Sequence, residues 1–202
     1  MTRKILIAGM VAGLVLFLWE SLAHVVLPLG EAGVKALPNE AAVLAALKDN
    51  IKEPGFYFFP AGGLDQPGLT REQRQKAFEN QAKMMRAGPS GIMIVHPEGL
   101  AGLTPSNLLT QFAADVIVML LAAFLLSRAT MLAGYGARVG FVAMLGWVPT
   151  LQVDLPQWNW YGFPTLYTAA QFVVHLVGFA AGGLVLARLI GANVARSSPA
   201  PR

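Results

Sequence analysis

Six polar side chains lie inside apolar stretches of this 202-residue chain, and they form three pairs with one spacing. Glu20 and His24, Gln111 and Asp115, and Gln171 and His175 are each four residues apart. In a helix that separation stacks two side chains on one face. Ionisable groups within membrane-spanning helices face a cavity or one another and mark ion, proton or ligand sites. The chemistry open to these six is a wet polar layer that grips a cation, relays a proton or holds a small polar ligand. The competing reading is hydrogen-bonded glue between helices, worth about 0.6 kcal/mol per contact.

Depth follows from the helical rise of about 1.5 Å per residue. Counted inward from one end of the apolar runs, Glu20, Gln111 and Gln171 come at about 8–12 Å, and Asp115 and His175 at about 14–17 Å. A carboxylate at the midplane is expensive unless paired or neutral, so Asp115 is expected to pair with His175. His24 falls close to the interface. Two imidazoles and two carboxylates would suit Zn²⁺. The two histidines, however, differ in depth by more than two helical turns, too far to share an ion or flank a haem. No metal and no cofactor is expected.

Motifs for other chemistry are missing. The chain has no cysteine, so disulfides, thiolate metal sites and cysteine nucleophiles are excluded. No HExxH, Walker loop, GxGxxG or Ser/His/Asp order is present, and the glycines at 62–63 and 88–91 read as turns. A lipid-modifying enzyme would have only His24 or His96 as base, and His96 reads as a loop histidine. A non-enzymatic protein is expected.

The elements that must position these residues are four apolar runs, at about 5–29, 108–126, 139–155 and 166–190. Each is near the ~20 residues that cross a bilayer. Mean hydropathy is positive, with 55% apolar and 13% charged residues, unlike an ordinary soluble domain. The net charge of +4 is too small and dispersed for nucleic acid. The stretch 30–104 holds eight basic and eight acidic residues. The basic surplus is Arg3, Lys4, Arg128, Arg138, Arg188, Arg196 and Arg202. Threading four spans puts all seven on one side, which the positive-inside rule names cytoplasmic. The expected protein sits in the cell inner (plasma) membrane with both termini in the cytoplasm.

The first run could instead be a cleaved secretory signal ending at Ser21-Leu22-Ala23. The apolar run resumes after Glu20, however, and Gly9 and Gly13 form a GxxxG packing face that a discarded peptide does not need. A retained helix is expected. Gly136 with Gly140, and Gly178 with Gly182, repeat the motif, and the second run offers Ala113-Ala114 and Ala122-Ala123. Trp19, Trp147, Trp158, Trp160 and Tyr161 are expected to form an interfacial aromatic belt, the last three from a short loop at 157–164. Segment 129–137 reads as an interfacial turn or a tilted helix start, with Arg138 snorkelling to the headgroups.

Within 30–104, Asn39 is expected to cap a helix from Glu40 to Lys48, and Gly55 to Pro60 reads as an aromatic strand. Thr70 and Gln73 have capping-box spacing before a polar helix from Arg71 to Arg86. Ile92 to Pro97 reads as a second strand, expected to pair with the first. Both strands are almost continuously apolar, which calls for cover from a partner or a second copy. Pro105-Ser106 opens the second span.

The fold expected is an all-α integral membrane four-helix bundle with a small α+β extracytoplasmic insertion between helices 1 and 2. Its divisions are helix 1 over 1–29, the insertion over 30–104, helices at 105–127, 130–156 and 164–190, and a disordered cytoplasmic tail over 191–202. The absence of Asn-X-Ser/Thr sequons suits a bacterial source. The function expected is that of an accessory or interaction protein that meets the lipid bilayer and either a membrane-protein partner or a homodimer mate. The alternative is a small transporter or a ligand- or ion-sensing bundle using the polar cluster.

Overall fold

The computed structural model describes residues 2–190; the expected tail at 191–202 lies outside them. It is mostly helical, with four helices long and apolar enough to cross a membrane and one two-stranded sheet. The chain divides into two units: residues 1–34 with 103–202, and residues 35–102.

The first unit holds the four long helices. The first span, Arg3–Val25, packs against the second, Pro105–Arg128, and the fourth, Thr165–Ile190. The fourth also packs along the third, Tyr135–Tyr161. Glycine makes these crossings close. A Cβ built on Gly13 would lie 2.6 Å from the Cα of Val116, and one on Gly9 would lie 2.9 Å from the Cα of Leu120. On the fourth span, Gly178 receives Leu16 and Trp19, and Gly182 receives the sulfur of Met119. The sealed core is correspondingly small-featured, with Ala8, Ala12, Ala122 and Ala123 beside Leu16, Met119, Val142 and Leu186. Gly136 and Gly140 differ from the expectation of a third packing face. A Cβ on either meets nothing within 4 Å, so no other helix among the described residues uses that motif.

The third span runs from 135 to 161, not 130 to 156, and it is not regular. An α-helical stretch, Tyr135–Leu145, meets Gly146 and a short turn, Trp147–Pro149. A π-helical turn, Thr150–Asp154, follows, then a last helical stretch, Leu155–Tyr161. Pro149 and Pro156 carry no N–H for the carbonyls four residues back, which interrupts the α ladder at two places. Gly146 lets the backbone come close to the fourth span, where a Cβ would lie 2.8 Å from the carbonyl oxygen of His175. The aromatic segment expected as a loop is therefore helical to Tyr161, because Pro156 suits the start of a helical stretch. Gly162, at φ +71°, ends it. Three residues, 162–164, then join the third and fourth spans.

Of the two readings of segment 129–137, the structure has the turn, over residues 129–134, and Arg138, expected to snorkel, is buried. Thr104 caps the second span: its hydroxyl accepts from Asn107 N–H at 3.2 Å, while Asn107 Oδ1 accepts from Thr104 N–H at 3.1 Å.

The second unit contains the Glu40–Asn50 helix, strand β1 (Gly55–Phe59), the Arg71–Ala87 helix and strand β2 (Gly91–Val95). Asn39 does not cap its helix. It sits in the left-handed region at φ 50° with no side-chain bond to the first turn. Thr70 and Gln73 do form a full capping box. The strands pair antiparallel, Phe56 opposite Ile94 and Phe58 opposite Ile92. The Arg71–Ala87 helix holds the turn after β1 through Asn80, which donates to the Gly62 carbonyl at 3.0 Å, and Gln81, which donates to Pro60 at 3.2 Å. Among the described residues of this unit only Ala77 is buried. Phe56 is 60% exposed and Ile94 opposite it 70%, and Leu44, Phe78 and Met84 are exposed as well.

Candidate functional site

The structure sorts the six polar residues into two groups rather than one layer. The first group joins the first and second spans. Gln111 Nε2 donates to Glu20 Oε2 at 2.8 Å and to Asp115 Oδ1 at 2.9 Å. One amide nitrogen thus ties a carboxylate from each helix, and both of its hydrogens are spent. Asp115 is 4% exposed, and its second oxygen, Oδ2, is buried with no hydrogen-bond partner. Such an orphaned acceptor is uncommon in folded proteins.

The second group joins the third and fourth spans, and it corrects the expected pairing of Asp115 with His175. The His175 Nδ1 atom lies 3.2 Å from Asp154 Oδ2 and 3.2 Å from Thr150 Oγ1. Asp154 is 6% exposed. Its Oδ2 meets His175 at ion-pair distance without the alignment of a hydrogen bond, so that oxygen is also left without a formal partner. Thr150 and Asp154 are the ends of the π-helical turn. Neither residue is among the six picked out by the sequence reading, yet they share the four-residue spacing of the three pairs. Reading the apolar run through to Tyr161, rather than stopping it at Leu155, places Asp154 well inside a span.

The remaining candidates stand apart. His24 turns back on its own helix, with Nδ1 2.9 Å from the Glu20 carbonyl oxygen, and its ring packs against Gly30. Gln171, half-buried, makes no side-chain hydrogen bond to Glu20, Asp115 or His175 among the described residues. No three His, Asp or Glu side chains converge to hold a metal ion among those residues.

A cleft of about 590 Å³ connects the two groups. It exists because the second and third spans, each packed on its other neighbours, barely touch one another. Val118, Leu121 and Leu125 form one wall, and Val148, Pro149 and Val153 the other. Glu20, Asp115, Gln152 and His175 supply its polar atoms. Its size is that of a small-molecule site, and so is its make-up of apolar walls with a few convergent polar groups.

Comparison of the chain with protein-family models, curated proteins and solved structures finds no match.

The tryptophans divide between two roles. Trp158 donates from Nε1 to Thr165 Oγ1 at 3.1 Å, and Trp160 and Tyr161 are exposed beside it. Those three suit an interfacial belt. Trp19 instead donates from Nε1 to the Val174 carbonyl at 2.8 Å, pinning the first span to the fourth. Trp147 packs on Phe172 with ring centroids 4.6 Å apart. It lies fourteen residues before the end of its span, about 20 Å along a helix, and so far from Trp158 and Trp160.

Proposed function

We propose that this chain is an accessory protein of the cytoplasmic membrane, a four-helix bundle that displays the 35–102 unit outside the cell membrane for docking to another protein. One observation carries the reading: that unit buries a single residue, Ala77, while a cross-strand pair of large apolar side chains, Phe56 and Ile94, stands open. A unit of this size folds by burying apolar surface, and two strands alone are marginal. Exposed contiguous apolar surface marks a place where something else docks. The even balance of acidic and basic residues over 30–104 gives no attraction to anionic lipid, which favours a protein as the occupant. Orientation follows from the basic residues flanking the spans.

Two measurements test this. A photocrosslinking amino acid at position 94 in intact membranes is expected to yield one defined heterologous adduct. Phe56→Asp should abolish it without lowering abundance, and the same probe at Lys76, exposed on the Arg71–Ala87 helix, should yield none. Adducts to lipid alone, or to a second copy alone, would overturn the proposal. For orientation, Glu79→Cys in this cysteine-free chain is expected to react with a membrane-impermeant maleimide in intact cells. Protection until lysis would invert the topology.

A further inference from the structure

We infer that the cleft between the second and third spans is a binding site for a lipid-soluble amphiphile with a protonated amine head. The head would sit on the Glu20–Asp115 carboxylates and the hydrocarbon between the two spans. Three observations place the head. Among the described residues the cleft is lined by two carboxyl groups and one imidazole and by no lysine or arginine, so its polar end suits a cationic donor. Asp115 is almost fully buried, yet Oδ2 lacks a donor, because Gln111 has spent both amide hydrogens on Oδ1 and on Glu20. A charged N–H donor is what that atom lacks, and charge-assisted hydrogen bonds are the strong ones. His175 does not fill the need, since its Nδ1 is engaged by Asp154 and Thr150.

The body of the ligand follows from the walls. Leu121, Leu125, Val148 and Val153 line the cleft and are also exposed, so the opening lies at the flank of the helices, where acyl chains would meet it. A bare metal ion or proton would leave about 590 Å³ of apolar space unfilled. An alkyl chain fills it and carries the amine to the acids without crossing water.

The test uses the full chain in nanodiscs with a long-chain alkylamine bearing a diazirine in its tail. The alcohol and carboxylate of equal length serve as comparisons. Mass spectrometry of the labelled peptides is expected to place the amine on the segments around Leu121 and Val148. Labelling should exceed that by the alcohol about tenfold. Asp115→Asn should remove that preference. Leu121→Trp, which fills the cleft and leaves both carboxylates, should cut labelling by all three probes. Thermal melting of each variant separates loss of the site from loss of fold, and Glu20→Gln serves if Asp115→Asn does not fold. Equal labelling by amine and alcohol, or amine labels spread evenly over all four spans, would overturn the inference. Neither outcome bears on partner docking by the 35–102 unit.

Discussion

Gly13→Val is expected to abolish the folded four-helix unit, whereas Gly140→Val leaves its melting temperature unchanged. Both glycines belong to a GxxxG sequence on a long helix, so composition does not distinguish them. Their surroundings do. A Cβ at Gly13 would approach the Val116 backbone to 2.6 Å, a separation that no side-chain rotation relieves, so the first and second spans would have to move apart. Overpacking of a core costs about 1–3 kcal/mol and sometimes more. A clash of a Cβ with the neighbouring backbone belongs at or above the top of that range. Separating these helices also withdraws Ala12 and Leu16 from Met119 and Ala122, and between membrane helices such close contact is the main source of association. Gly140 has nothing within 4 Å of its notional Cβ, so its valine should stay within about 0.5 kcal/mol. Thermal unfolding of the two variants in the same detergent decides the matter. Equal melting temperatures would mean that the first and second spans do not cross where described.

The second large effect concerns the buried pair of the third and fourth spans. His175→Ala is expected to destabilise the protein by about 1–3 kcal/mol, the usual penalty for leaving a buried polar group without its partner. The reason is what remains: Asp154, 6% exposed, would keep only Thr150 nearby. Asp154→Leu together with His175→Leu should recover most of the loss, because replacing both polar partners by apolar groups of similar shape is often nearly neutral. The coupling between the two positions, read from a double-mutant cycle of chemical or thermal unfolding, should therefore be large. Additive effects would show that Asp154 and His175 act independently, and the contact would then carry no weight in the fold.

These two cases also show how far the chain can be read without coordinates. Span number and approximate length follow from apolar runs, since the bilayer sets one length for all of them. The capping box of Thr70 and Gln73 and the antiparallel strands were legible because each depends on neighbours in sequence or on a local pattern. The partner of His175 was not. Depth counting treats each span as straight and says nothing of its rotation about its own axis, and rotation decides that His175 meets the third span while Asp115 meets the first. The π-helical turn that brings Thr150 and Asp154 to one imidazole has no apolar period to betray it. The idle glycines at 136 and 140 illustrate the same limit, because a small residue permits a close approach without naming what approaches. The division of the polar residues into two groups with a cleft between them is, for that reason, knowable only in three dimensions.

The three-residue link at 162–164 has a consequence for how this protein is made. In a bilayer, so short a connection would bring the third and fourth helices in together as one helical hairpin. An unpaired aspartate within an inserting helix opposes partitioning, by up to about 2.5–3.5 kcal/mol at the centre. Here the acid and its imidazole lie on the two arms of the same hairpin, so Asp154 would meet His175 as the hairpin forms. Neutralisation is thereby local to the hairpin and does not wait for the first and second spans to assemble around it.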